Sequence, residues 1–172
     1  MHRFILAFAL FSALFNSASA ENTFGMSVSR EFADIGDITS LNLYSQFSDP
    51  HSHLGFQLGT SISRAEITDF DGYVDNYGAW EGFARIGLFS DIQIYMEAGI
   101  DIGEMLVYDD RHHDYYYYDE DRNEIDFFMG AGVGLSTDNV DIRVFSRYRY
   151  IDGLYLTDNQ DWFSGLEFAV HF

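Results

Sequence analysis

The stretch Trp162-Phe-Ser-Gly-Leu-Glu-Phe-Ala-Val-His-Phe172 alternates Leu166, Phe168, Val170 and Phe172 with Gly165, Glu167, Ala169 and His171. A period of two is the mark of a β-strand, because successive side chains of a pleated chain point to opposite faces. One face of this strand is wholly apolar, and the other carries a carboxylate and small residues. Upstream, the same alternation recurs from Phe24 to Phe32, Ile38 to Phe47, Leu54 to Arg64, Tyr77 to Phe89, about Gln93 to Ile102, Asp126 to Leu135 and Asp141 to Tyr150.

Eight strands are therefore expected, separated by Ala33–Asp37, Ser48–His53, about Ala65 to Asn76, Ser90-Asp91, about Val107 to Glu124, Asp138-Asn139 and Asp152–Asp161. From the second connection onward, tight turns alternate with long loops, which is the rhythm of a barrel with short turns at one end and long loops at the other. Asp138-Asn139 reads as a two-residue hairpin turn of the primed type. Helical periodicity is not evident, so the chain reads as all-β: an eight-stranded antiparallel up-and-down transmembrane β-barrel.

The membrane enters through the inventory of the two faces. On nearly every strand one face is almost pure Leu, Ile, Val, Phe and Met, while the other is crowded with Gly, Ser, Glu and Arg; Arg30 is the one misfit on the apolar face. A water-soluble barrel would face its polar side outward, so lipid outside and a polar interior explain the pattern better. Trp80, Phe127, Tyr148, Tyr150 and Trp162 are expected at the outer interface, with Phe24, Phe47, Phe56 and Phe172 at the inner one.

Composition bounds the rest. The chain has 172 residues, no cysteine, one proline and a net charge of −19. Met1-His2-Arg3, an apolar run to Phe15 and the ending Ala18-Ser19-Ala20 read as a secretory signal peptide over residues 1–20, leaving 21–172 as a single barrel domain. Losing Arg3 leaves eight basic side chains, all arginine, against 28 acidic ones. Nucleic acid is a poor partner for such a charge, and a thiolate metal site or disulfide framework is excluded.

An eight-stranded lumen is just wide enough to be filled by side chains, and charges within it must pair. Glu81, Arg85, Glu97, Asp101, Arg143, Arg147, Arg149 and Glu167 are the expected interior network. The Ser90-Asp91 turn sets Arg85 opposite Glu97. The Asp138-Asn139 turn sets Gly134, Gly132 and Gly130 opposite Arg143, Phe145 and Arg147, so that small residues make room for large ones. Arg147 and Arg149 are then expected to reach Glu167.

A leader, eight alternating strands and a last strand ending in Phe172 resemble the small outer-membrane barrels of Gram-negative bacteria, of the OmpA-barrel, OmpX, Ail and Opa type. The resemblance is one of architecture and spans residues 21–172. It implies the cell outer membrane as location, reached by export through the periplasm, with lipid, lipopolysaccharide and the barrel-assembly machinery as partners. In such proteins Leu166, Phe168, Val170 and Phe172 are similar to the assembly signal.

Acids crowd the outer connections. Asp109, Asp110, His112, His113 and Asp114 are weak candidates for a metal site, since adjacent histidines in a loop lack fixed geometry, and no segment matches an EF-hand. Tyr115, Tyr116, Tyr117 and Tyr118 are candidates for surface contacts. A lipid hydrolase would need Ser, His and an acid near a rim; the only strand histidine is His171, while His51 and His53 lie in a turn, so no catalytic residues and no cofactor are assigned. A structural or surface-interaction role of a monomer is the leading expectation, ahead of a divalent-cation-binding or minor ion-conducting barrel and of a lipid-modifying enzyme.

Overall fold

The computed structural model describes residues 21–68, 72–107, 125–151 and 160–172. The strands are β1 (Glu21–Ala33), β2 (Gly36–Ser48), β3 (Leu54–Thr68), β4 (Val74–Phe89), β5 (Ile92–Asp101), β6 (Phe127–Ser136), β7 (Val140–Tyr150) and β8 (Gln160–His171), with a short helix α1 (Ile102–Val107) after β5. They close in sequence order into an antiparallel barrel, β8 pairing with β1. The expected leader, residues 1–20, lies outside the described residues.

The register fixes the shape. Paired residues followed once round the wall from Asn22, through Phe47, Phe56, Ile86, Met96, Ala131, Ser146 and Ser164, arrive at Phe32, ten residues further along β1. Eight strands with that stagger tilt by about 41° to the barrel axis at ordinary strand spacings. Each lateral row of partners therefore climbs toward the outer end as it passes from β1 toward β8.

The turns at the inner end are built by local chemistry. Asp49 Oδ1 accepts the His51 backbone N–H at 2.7 Å and that of Ser52 at 3.4 Å, and His53 takes the left-handed conformation at φ 56° before β3 begins. Those N–H groups hold the exposed Asp49 carboxyl below its ordinary pKa, the His51 contribution being the larger. The Asp138-Asn139 turn is a correction: neither residue has a positive φ, so the turn is not of the primed type. Its closure comes from Thr137, whose N–H donates to the Val140 carbonyl at 2.8 Å while its hydroxyl accepts from the Val140 N–H at 3.3 Å.

The outer end departs further from the sequence reading. The polar loop expected over residues 65–76 is mostly strand, since β3 runs to Thr68 and β4 begins at Val74, paired with it. Polar side chains at Glu66, Asn76 and Asp75 hid a continuing ladder whose inward residues, Ala65 and Ile67, are buried. The helix α1 begins at Ile102, where the sequence reading still carries strand five. Asp101 caps it, its Oδ1 accepting the Glu104 N–H at 3.2 Å, which satisfies one of the orphan donors of a first turn.

Inside and outside are inverted relative to a soluble barrel. Phe24, Met26 and Val28 of β1, Ile92, Ile94 and Met96 of β5 and Leu166, Phe168 and Val170 of β8 all point outward and are exposed, while Arg85, Glu97, Arg143 and Glu167 are buried within. Aromatic pairs mark both rims of the apolar belt. Tyr148 meets Trp162 edge-on at 5.7 Å and Phe127 stacks on Tyr150 at 5.4 Å toward the outer end; Phe47 stacks on Phe56 at 4.7 Å toward the inner one.

Candidate functional site

The lumen is the most heavily constructed part of the molecule. Its first tier is a set of direct cross-strand pairs between glycine and an aromatic residue: Gly25 with Tyr44, Gly59 with Phe83, Gly99 with Phe128, Gly132 with Tyr95 and Gly165 with Phe145. Each ring lies over its glycine so closely that a Cβ added there would collide with ring atoms. The second tier rests on those rings. The guanidinium of Arg85 sits 4.9 Å from the Phe83 centroid and 5.0 Å from that of Tyr95, Arg147 is 4.6 Å from Phe128 and 4.2 Å from Phe145, and Arg149 is 4.7 Å from Phe128. Cation–π attraction grows when the cation is desolvated, as here.

The arginines and their acids form a single alternating chain. At the inner end Asp141 takes Arg143 Nη2 at 2.5 Å, and Arg143 Nη1 reaches Glu167 at 2.5 Å. Glu167 is then held by both terminal nitrogens of Arg85 at 2.9 and 2.5 Å, and Arg85 Nε reaches Glu97 at 2.9 Å. Arg147 grips Glu97 through Nε and Nη2 at 2.7 and 2.9 Å and Glu31 through Nη1 at 2.5 Å. Arg149 grips Glu31 through Nε and Nη2, both at 2.7 Å, and ends the chain on Glu81 at 2.5 Å.

Neutral groups complete the coordination. Gln93 Oε1 accepts Arg143 Nε at 2.6 Å, and Ser61 and Ser63 donate to Glu81 at 3.0 and 3.2 Å. Glu31, Arg85, Arg143 and Glu167 are 0–1% exposed, so these pairs are dry. Burial of charge on that scale is tolerable only because every guanidinium has two carboxylates or their amide equivalents around it.

Two sequence expectations need correction. Arg147 and Arg149 do not meet Glu167; they converge on Glu31, and Glu167 is taken by Arg85 and Arg143. The reason is the stagger, which sets Arg143 directly opposite Glu167 and carries Arg147 and Arg149 outward to the level of Phe163 and Asp161. Asp101 faces inward but serves as the cap of α1. Glu31 and Asp141 are members the sequence reading left out. Their signal was present, since both stand on the polar face of their strands.

Ile38, Ala65, Ile67, Ile151 and Phe163 form a buried apolar cluster beside the outer part of the charge chain, Ile38 opposite Glu31 and Phe163 opposite Arg147. Beside it lies a cavity of about 10 Å³, lined by Glu81, Asp101, Tyr77 and Arg149 among others, room for roughly one water. The larger concavity, about 890 Å³, is an open apolar groove on the lipid-exposed wall, running past Ala131, Ser146 and Ser164 to Phe32.

The remaining sequence candidates divide in two. Leu166, Phe168, Val170 and Phe172 stand on the outward face of the last strand. Asp109, Asp110, His112, His113, Asp114 and the tyrosines Tyr115, Tyr116, Tyr117 and Tyr118 lie outside the described residues. Among the described residues no group of His, Cys, Asp or Glu is arranged to hold a metal ion.

By sequence, the chain matches no protein-family model and no curated protein. By structure it is similar to solved membrane barrels. The Yersinia pestis outer membrane protein Ail, in a phospholipid bilayer nanodisc, superposes with a TM-score of 0.51 at 14% identity, over 88% of this chain and 100% of Ail. The N-terminal β-barrel domain of Pseudomonas aeruginosa OprF gives 0.49 at 14% identity, over 90% and 100%. The likeness to Ail shows the fold: a small eight-stranded barrel of the outer-membrane type.

Proposed function

We propose that this chain is a monomeric outer-membrane protein in which a closed, non-conducting barrel carries a surface-interaction role on its outer connections, including the acidic, tyrosine-rich stretch from Asp109 to Asp121. The observation that carries this reading is the filled lumen inside an apolar wall. Among the described residues, nine paired charges and the apolar cluster of Ile38, Ile67, Ile151 and Phe163 occupy the interior, which favours a barrel that does not conduct. Function then falls to the surfaces the barrel displays.

Two measurements test it. Membrane fractionation with heat-modifiable gel mobility addresses the barrel, and a soluble product with no mobility shift would sink the reading. Deleting residues 109–121 addresses the loop: binding to host-cell surfaces or to divalent cations is expected to fall, and unchanged binding on both counts removes the loop from the function. The runner-up, a cation-binding or minor ion-conducting barrel, draws on one feature, the five carboxylates set against four guanidinium groups in the chain. Planar-bilayer recording separates the two, with a silent trace expected and discrete conductance steps favouring the runner-up.

A further inference from the structure

We infer that the seam between β1 and β8 is the line along which this barrel opens, and that Glu31 is the latch that holds it shut. The inference concerns the wall alone and stands whatever the outer connections bind.

The seam is the shortest ladder in the wall. β1 and β8 share eight register pairs, Gly25–His171 to Phe32–Ser164, where the other ladders have nine to fifteen. It is also the one ladder whose strands do not follow each other in the chain. No turn keeps its partners together once they part, and reclosing them carries the entropy of a loop as long as the barrel. Phe24 and Phe172 exchange both backbone hydrogen bonds, at 3.2 and 2.9 Å. An antiparallel ladder alternates such pairs with pairs that exchange none. The N–H groups of Met26, Val28 and Arg30 therefore serve the seam, while those of Ser27, Ser29 and Glu31 serve β2.

Side chains add little to this ladder. On the outside Met26 faces Val170 and Val28 faces Phe168, apolar pairs that gain little over contact with equally apolar lipid. Within the lumen the opposed pairs are Ser27–Ala169, Ser29–Glu167 and Glu31–Gly165. The two serines turn away from the seam and accept Asn42 Nδ2 of β2, at 3.0 and 3.3 Å. Glu31 differs. Opposite a residue with no side chain, it passes over β8 and accepts from β7: Arg147 Nη1 at 2.5 Å, and Arg149 Nε and Nη2 both at 2.7 Å. Among the described residues it is the only β1 side chain hydrogen-bonded to any strand but β2. Three charge-assisted hydrogen bonds thus strap β1 to β7, with β8 caught between them. When they break, β1 leaves together with β2, to which it is paired along its whole length from Glu21 to Ala33, and the wall parts between β1 and β8.

Amide hydrogen exchange of the full chain in phospholipid nanodiscs, read residue by residue by NMR, tests this. In the wild type Met26, Val28 and Arg30 should exchange faster than Ser27, Ser29 and Glu31 of the same strand, because opening frees the first set and leaves the second bonded to β2. Glu31→Gln should speed the first set by about tenfold, the worth of one charge-assisted contact, and leave the second set as it was. Glu81→Gln, which takes a carboxylate from the same Arg149 on the β4 side, should leave both sets at the wild-type rate. A disulfide introduced by Ser27→Cys and Ala169→Cys, at an opposed inward pair in a chain without cysteine, should return Glu31→Gln to slow exchange when oxidised and release it when reduced. Equal rates for the two sets in the wild type, no change or an equal rise of both sets in Glu31→Gln, the same rise in Glu81→Gln, or no rescue by the disulfide overturns the inference. If Glu31→Gln alone does not insert, insertion restored by the oxidised disulfide supports the latch, and failure with the disulfide overturns it.

Discussion

Replacing Arg147 by methionine tests the charge chain where it is most exposed to refutation. Among the described residues Arg147 is the only bridge between Glu97 and Glu31, reaching them through three contacts of 2.9 Å or shorter. Its loss leaves five buried carboxylates against three guanidiniums, with Glu97 dependent on Arg85 and Glu31 on Arg149. Removing one partner of a buried pair costs about 3–5 kcal/mol, because the remaining charge is left without its counter-ion. Glu97→Gln acts in the opposite direction on the charge count. It leaves four carboxylates against four arginines, and both Arg85 and Arg147 keep another glutamate, so its cost is that of weakened hydrogen bonds, about 1–2 kcal/mol. The double variant should cost less than the sum of the two, because Arg147→Met no longer strands Glu97. Urea unfolding of the barrel in lipid vesicles, followed by gel mobility and tryptophan fluorescence, supplies the three values. Arg147→Met within about 1 kcal/mol of wild type, or Glu97→Gln more damaging than Arg147→Met, would refute the account of the lumen as an alternating chain near charge balance.

Gly132→Val should abolish folding into the barrel while the neighbouring Ala131→Val is tolerated, since a Cβ at Gly132 meets the Tyr95 ring and Ala131 is exposed on the outward face; the fraction of heat-modifiable protein is the readout. Val144→Arg, on the apolar belt, should cost about 2–4 kcal/mol in vesicle unfolding, whereas Thr39→Arg, an outward position nearer the outer end and paired with Arg64, should cost far less. For Asp49, whose carboxyl titrates below its ordinary range, the turn's contribution is present above the unfolded-state pKa and lost as pH falls through the lower folded-state value. Asp49→Ala should therefore destabilise the barrel at neutral pH, and its difference from wild type should vanish only in acid below the normal carboxylate range.

Strand number, order and facing were legible because alternation is a local property: Leu166, Phe168 and Val170 announce the outward face whatever surrounds them. Local turn chemistry carried the register across Ser90-Asp91, which is why Arg85 opposite Glu97 could be read directly. It did not reveal the turn type at Asp138-Asn139, where Thr137 supplies the closing hydrogen bonds and no positive φ is needed. Nor did it reveal the length of the β3–β4 ladder, because Glu66, Asp75 and Asn76 look like loop residues once a strand rises beyond the apolar belt into water.

The lumen separates what each level decides. Composition and alternation alone put Glu81, Arg85, Glu97, Arg143, Arg147, Arg149 and Glu167 on the polar face, and pairing had to follow because isolated charges cannot be buried. Which arginine takes which acid was settled by closure. Arg147 reaches Glu31 across 116 positions of sequence and past an intervening strand, a contact set by the ten-residue stagger and the width of an eight-stranded ring. Neither quantity belongs to any one strand. Both exist only when β8 meets β1, so the sequence determined which charges face inward, and tertiary closure determined which of them join the chain and in what order.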